Sequence, residues 1–233
     1  MIIIVPIFIV FFATIGIFQL RALTSKLKFT AHTDPQIDRM LKFQSAQLVL
    51  AFAVLVIVYL LNPENFKAFF QFGDIQARIS KVTWLGITGN ETWLEIVLVL
   101  GFFITFGTGI FMYFQAKKAG AKVTSLFLFI PWVILFSAMN AFSEEAIFRI
   151  GIVTPLYGQL PVWIILIISG ILFGLPHYFG QPSGVIGVIM AGFLGWLLAM
   201  SLVETQGLFL AWVVHFVQDV VIITAMFLMG NKP

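Results

Sequence analysis

Long apolar runs separated by short polar segments make up most of the 233-residue chain. A helix needs about 20 mainly apolar residues to cross a bilayer. Seven runs reach or approach that length, at 2–20, 44–61, 94–114, 124–145, 161–178, 184–203 and 207–229. Residues 146–160 would continue the fourth helix, and the polar stretch 62–93 has room for a short eighth. The pattern predicts an all-α, polytopic membrane bundle of seven to eight transmembrane helices.

The composition agrees with that interpretation and excludes other classes of protein. Hydrophobic residues make up 61% of the chain and charged residues 10%, whereas a soluble domain carries roughly 25% charged residues. A soluble domain, a disordered chain and a nucleic-acid-binding protein are therefore excluded. Cysteine is absent, so the chain has no disulfide, no thiolate metal ligand and no cysteine nucleophile.

The basic residues predict the orientation of the helices. The segments 21–43 and 115–123 hold five and three of the 13 Lys and Arg residues. Because short cytoplasmic loops of membrane proteins are enriched in Lys and Arg, we expect both segments in the cytoplasm. The N-terminus then lies outside, and the first helix at 2–20 is retained, since it lacks the charged start and the cleavage site of a signal peptide.

Ionisable side chains in the second half are few, and most lie in or beside apolar helices. Each costs about 2.5–3.5 kcal/mol at membrane depth, so such groups normally face inward, pair with one another and mark functional sites. The candidate catalytic residues are Glu144, Glu145, Arg149, His177, His215 and Asp219. Any one pair among them could instead serve only to join two helices.

Helical spacing suggests how these groups pair. Glu145 and Arg149 are four residues apart and share a helix face, so Arg149 should anchor Glu145. Glu144 is rotated about 100° from Glu145, which leaves it the freer carboxylate. His215 and Asp219 are also four apart and should project together from the last helix.

Three motifs in this half resemble one known family. Glu144-Glu145-Ala-Ile-Phe-Arg149 fits EExxxR, Phe173-Gly-Leu-Pro-His177 fits FxxxH, and His215-Phe-Val-Gln-Asp219 fits HxxxD, a variant of HxxxN. Together they resemble the CAAX protease and bacteriocin-processing (Abi) family, which includes the type II CAAX prenyl endopeptidases. The resemblance covers about residues 124–229, which we predict to be the protease core. Residues 1–123 match only as generic transmembrane helices and loops.

The resemblance implies an intramembrane endopeptidase that cleaves a peptide bond with an activated water. Glu144 would be the general base, and His177 would hold the same water. His215 and Asp219 would stabilise the oxyanion. An ionised Asp219 cannot donate a hydrogen bond, so it is either protonated or orients His215. The expected partners are membrane lipid and a membrane-associated or lipidated peptide such as a prenylated CAAX protein, at the bacterial cell membrane.

A metal is a second interpretation of the same residues. Glu144, His177 and His215 could bind Zn²⁺ with an open fourth position. The HExxH spacing of zinc peptidases is absent, however, and these ligands come from three separate helices. We therefore expect catalysis without a metal or other cofactor.

Other functions fit the residues less well. A rhomboid-like serine protease, an intramembrane aspartyl protease and a site-2-type zinc protease each require residues that the apolar half lacks. A proton-coupled transporter also uses intramembrane charges, but transporters usually have two related halves, and the charges here occupy one half. A non-catalytic or bacteriocin self-immunity protein with the same fold is the remaining alternative.

Overall fold

A computed structural model describes residues 19–20, 22–120, 126–181 and 183–230. The helices are α1 (Pro35–Leu61), α2 (Pro63–Phe69), α3 (Trp93–Lys118), α4 (Leu126–Glu145), α5 (Gly151–Leu156), α6 (Val162–Gly174), α7 (Gly184–Thr205) and α8 (Phe209–Met229). The predicted helix at 2–20 lies outside the described residues, apart from its last two positions.

The described helices confirm an all-α, multi-pass membrane bundle. Five are long and apolar enough to cross a bilayer: α1, α3, α7, α8 and the continuous helical stretch Phe127–Leu156. A shorter apolar helix covers Val162–Tyr178. The continuation of the fourth helix beyond residue 145 is confirmed as far as Leu156. Residues 62–93 contain α2, whose seven residues are too few to span a membrane, so this stretch adds no eighth span.

Helix α1 begins nine residues before the predicted start because its polar first turns are locally stabilised. The side chain of Asp34 accepts hydrogen bonds from the backbone N–H groups of Gln36 and Ile37, which is the usual capping interaction at a helix N-terminus. One turn later, Lys42 Nζ lies 2.8 Å from Asp38 Oδ2. Capping and pairing thus make helical a segment whose hydropathy alone indicates a loop.

Helices α1 and α4 run parallel and in contact. Gln44 of α1 bonds to Asn140 of α4, and Asn65, just beyond α1, bonds to the carbonyl of Thr154. Buried apolar residues of α1 and of the segment after α4 belong to one hydrophobic core. This core contains residues from both sides of position 123. The domain division predicted at that position stays a prediction.

Helix α8 runs antiparallel to α4 on its other side. Phe129 near the start of α4 stacks on Phe227 near the end of α8, with ring centroids 4.7 Å apart. Asn140, near the middle of the continuous stretch Phe127–Leu156, bonds to Asp219 in the middle of α8. The middle of the continuous stretch Phe127–Leu156 therefore lies beside α1 and the middle of α8, well away from either end of the bundle.

Helices α6 and α7 approach each other closely through glycine. A Cβ added to Gly174 would lie 2.6 Å from the carbonyl oxygen of Val188, and one added to Gly195 would lie 2.9 Å from Phe173. Small residues let membrane helices pack at short distance. The contact at Gly195 fixes Phe173, which lies beside the candidate catalytic residues described below.

Hydrogen bonds show which segments share an end of the bundle. Asn65 donates to the carbonyl of Tyr157, and the backbone N–H of Asp74 donates to the carbonyl of Thr205. The segments 62–92, 157–161 and 206–208 therefore lie at one end. The start of α1 lies at the other end, where Gln36 donates to the carbonyl of Met226.

We expect the end that carries residues 62–92 to face outward and the end of α3 to face the cytoplasm. Asn90 and Lys118 are both exposed, and the natural chain has no cysteine. In intact cells, an impermeant thiol reagent should label Asn90→Cys directly and Lys118→Cys only after permeabilisation. The reverse labelling pattern would contradict the predicted orientation.

Candidate active site

The three motifs converge in the interior of the bundle. The EExxxR segment lies at the end of α4 and in the turn after it, the FxxxH segment at the end of α6, and the HxxxD segment in the middle of α8. The ring of Phe173 contacts all three segments. Its centroid lies 4.3 Å from Arg149 Cζ, 5.0 Å from the His177 ring and 5.4 Å from the His215 ring.

Glu145 is the most heavily paired carboxylate of the site. Its Oε1 atom lies 3.0 Å from Arg149 Nη2 and 2.8 Å from His215 Nδ1. The side chains of Glu145 and Arg149 are fully buried. The expected Glu145–Arg149 pair is confirmed, and it also reaches His215. A carboxylate accepts hydrogen bonds, so His215 Nδ1 is the donor and the imidazole is held from that side.

Arg149 lies in a single turn of π-helix that follows Glu145 directly. The turn covers Ala146–Ile150, and the backbone N–H of Gly151 donates to the carbonyl of Ala146, five residues earlier. Turns of this kind are uncommon and occur frequently at functional sites. The four-residue spacing predicts a regular α-helix here, whereas the structure has a wider turn that still brings Arg149 to Glu145.

Glu144 is in a different environment from its neighbour. Its side chain is 15% exposed, and its Oε2 atom lies 3.6 Å from His215 Nε2. Its Oε1 atom accepts a hydrogen bond of 3.3 Å from the side-chain amide of Gln47 in α1. Glu144 thus faces the imidazole nitrogen that Glu145 leaves free, without an arginine partner.

Asp219 lies close to the same imidazole nitrogen. Its Oδ2 atom is 3.7 Å from His215 Nε2 and accepts a 3.0 Å hydrogen bond from Asn140 Nδ2. The expected projection of His215 and Asp219 to one place is confirmed. The carboxylates of Glu144 and Asp219 are both farther from Nε2 than the usual 2.7–3.2 Å of an N–H···O bond. Neither of them is therefore hydrogen-bonded to this nitrogen.

His177 reaches the site from the short tight turn that ends α6. Its Nδ1 atom lies 2.9 Å from the carbonyl oxygen of Phe173. A carbonyl oxygen can only accept, so Nδ1 donates, and in the neutral ring Nε2 is left as an acceptor. His177 is half-buried, in contrast to the buried His215.

Four residues at the site were not selected by the sequence analysis: Gln44, Gln47, Asn140 and Phe173. The first three are uncharged amides within predicted transmembrane segments, whereas the sequence-based prediction rests on ionisable groups. Amides at membrane depth also require partners, and that requirement was the signal that could have found them. Phe173 was part of a recognised motif, but nothing in the sequence indicated that its ring contacts Arg149.

The residues present do not fit a three-ligand metal centre. Among the described residues, no group of three or more His, Asp and Glu side chains converges as metal ligands do. His215 Nε2 and Glu144 Oε2 are 3.6 Å apart, but His177 does not complete a triad with them. We therefore derive no catalytic step that uses a metal.

This architecture defines a class: a helical membrane protein whose interior holds a cluster of two histidines, three carboxylates and one arginine. The model of the Type II CAAX prenyl endopeptidase Rce1-like family matches residues 124–221. No curated protein and no solved structure matches the chain. The family match confirms the resemblance carried by the three motifs over residues 124–221. It also supports peptidase activity in general terms.

The different surroundings of the two glutamates predict different effects of mutation. Glu145→Gln should leave the fully buried Arg149 without a counter-charge, which typically costs about 3–5 kcal/mol. Glu144→Gln should change stability little, because Glu144 has no arginine partner and retains some exposure. Thermal unfolding in detergent measures both effects.

A double variant provides the control. Adding Arg149→Met to Glu145→Gln removes the unpaired charge and should recover much of the lost stability. Equal destabilisation by the two Gln variants would contradict the assignment. A Glu144→Gln protein less stable than Glu145→Gln would mean that the two glutamates have exchanged roles.

Proposed function

We propose that the protein is an intramembrane endopeptidase that hydrolyses a peptide bond with a water activated by Glu144. The observation that carries this proposal is the pair of contacts made by His215. Glu145 holds its Nδ1 atom at 2.8 Å, and Glu144 faces its Nε2 atom at 3.6 Å. One glutamate is thus used to orient the imidazole, and the other remains available to react.

Glu144 is suited to the role of general base. It is the more accessible glutamate of the pair, and Gln47 fixes one of its oxygens. His177 can assist, because its Nδ1–H group is bound to the Phe173 carbonyl and its Nε2 atom can accept a hydrogen bond from the same water. A base must lie within hydrogen-bonding reach of the proton that it removes, so the proposal requires one water to bond both to Glu144 and to His177 Nε2.

His215 is suited to stabilise the negative oxygen of the tetrahedral intermediate. Donors fixed in advance near that oxygen lower the barrier most effectively in a site from which water is largely excluded. His215 is buried and oriented by Glu145. A proton on Nε2 lets His215 donate to the oxyanion, and the positive charge of the ring is balanced by Glu145 and Asp219.

The proposed reaction proceeds in two steps. Glu144 removes a proton from water while the water oxygen bonds to the scissile carbonyl carbon, and the carbonyl electron pair moves to its oxygen. The intermediate then collapses, the carbon–nitrogen bond breaks, and Glu144 returns the proton to the leaving amine. The products are a new carboxylate and a new amine.

We propose a lipidated or membrane-associated peptide as the substrate, on family-level grounds. The site lies near the middle of the continuous helical stretch Phe127–Leu156 and of α8, so a substrate must bring its scissile bond into the membrane region. A peptide tethered by a lipid chain is concentrated at the bilayer, where each buried CH₂ group contributes about 0.8 kcal/mol to binding.

The activity test uses the full-length protein in lipid nanodiscs with a synthetic peptide that carries a farnesylated CAAX end. Mass spectrometry follows the appearance of the shortened peptide. Wild type should cleave, and Glu144→Gln should lose at least about 100-fold in rate, the lower range of a general base contribution. Glu64→Gln, an exposed glutamate at the start of α2, is the matched control and should cleave like wild type.

A chelator control and a second set of peptide substrates complete the cleavage assay. A chelator should leave the rate unchanged, since the proposed reaction uses no metal, and chelator inhibition reversed by added zinc would contradict the mechanism. Cleavage by Glu144→Gln at the wild-type rate would contradict the role of Glu144. If the farnesylated peptide is not cut, a peptide library displayed on the same nanodiscs tests the substrate class separately from the activity.

A further inference from the structure

We infer that Asn140 is an additional catalytic residue, whose side-chain N–H group donates to the oxyanion beside His215. The inference rests on the proposed peptidase function. It identifies a group that the motifs do not contain, because Asn140 lies four residues before the EExxxR segment.

The orientation of the Asn140 amide follows from its neighbours. Asn140 Nδ2 lies 3.0 Å from Asp219 Oδ2, and an ionised carboxylate can only accept, so the amide nitrogen faces Asp219. On its other side, Asn140 Oδ1 accepts a 3.2 Å hydrogen bond from Gln44 Nε2. Rotation of the amide by 180° would break both bonds and place two acceptors against each other.

Gln44 makes this arrangement rigid. It lies in α1 and is buried, with 5% of its surface exposed. Two hydrogen bonds run in one direction through the three side chains: Gln44 donates to Asn140, and Asn140 donates to Asp219. These two hydrogen bonds connect α1, α4 and α8, so the position of the Asn140 nitrogen is fixed before any substrate binds.

The Asn140 nitrogen and His215 Nε2, the proposed oxyanion donor, both lie next to the same carboxylate oxygen of Asp219. The Asn140 nitrogen bonds to Asp219 Oδ2, which lies 3.7 Å from His215 Nε2. An amide nitrogen carries two hydrogens. Among the described residues, Asp219 is the acceptor for Asn140 Nδ2, so one N–H group is available to a substrate oxygen bound next to His215.

The chemistry explains how the site can function with an acid at residue 219. An ionised Asp219 has no hydrogen to give to an oxyanion, whereas the HxxxN form of the motif has an amide at this position. Here the amide lies on the opposing helix and the carboxylate on α8. The pair contains one amide, on α4, and one carboxylate, on α8.

An exchange of the two side chains tests this inference in the nanodisc cleavage assay. Asn140→Asp alone removes the donor and places two carboxylates about 3 Å apart, so kcat should fall about 100-fold, as for the loss of one oxyanion donor, with little change in KM. Asn140→Asp combined with Asp219→Asn restores one amide and one carboxylate. The double variant should recover to within about tenfold of the wild-type kcat.

Two more variants separate catalysis from folding. Asn140→Leu removes the amide without adding a charge and should lower kcat about 100-fold with KM unchanged. Gln218→Met is the control, because Gln218 is a buried amide on α8 whose partner is Thr105 of α3, and it should keep the wild-type kcat. Thermal unfolding verifies that each variant is folded.

Distinct results would overturn the inference. An Asn140→Leu protein with wild-type kcat would show that the amide does not act in the reaction. A double variant as inactive as Asn140→Asp would show that Asn140 only holds Asp219 and that the acid itself is required at residue 219. If wild type cleaves neither the farnesylated peptide nor any member of the peptide library, that result would instead reject the proposed function on which the inference rests.

Discussion

The rest of the site depends on the burial of Arg149. Its side chain is fully buried in a bundle made mostly of apolar residues, and a guanidinium remains charged in proteins. Glu145 must neutralise it, and the same carboxylate oxygen also binds His215. The need to neutralise Arg149 therefore holds Glu145 in place, and Glu145 in turn orients the imidazole of His215. Glu144 is left as the carboxylate that we propose to react.

A second feature of the site is the contribution of α1, which lies outside the region matched by the family model. Gln47 bonds to Glu144, and Gln44 bonds to Asn140. Buried polar groups need hydrogen-bond partners because water is not available to them. The amides of α1 therefore complete a polar network that begins in the family motifs, and α1 gives hydrogen bonds to the proposed site in addition to being one of the candidate membrane spans.

The fold could be predicted from the sequence to within a few residues at most helix ends, because a bilayer imposes both a minimum length and an apolar composition on each helix. The start of α1 was the largest error, since the Asp34 cap and the Asp38–Lys42 pair stabilise a polar helical segment. The π-helical turn at Ala146–Ile150 had no detectable signal in the sequence either. Its five-residue hydrogen-bond spacing depends on packing, and the pattern of apolar residues does not report it.

For the site, the sequence predicted the pairs that lie on one helix and missed those that join different helices. Spacing of four residues placed Glu145 beside Arg149 and His215 beside Asp219. The contacts of Glu145 with His215, Asn140 with Asp219, and Gln47 with Glu144 depend on which helices are neighbours. Neighbour relations are not contained in local periodicity, so these contacts required the three-dimensional arrangement.

The central claim is that water, activated by Glu144, attacks the peptide carbonyl directly. The most direct test is a single turnover in H₂¹⁸O, with mass spectrometry of both the product and the enzyme. The account predicts one ¹⁸O atom in the new carboxylate of the product and none in the peptide of the enzyme that contains Glu144. Recovery of ¹⁸O in the Glu144 side chain would show that this carboxylate forms a covalent acyl intermediate, and it would contradict the account.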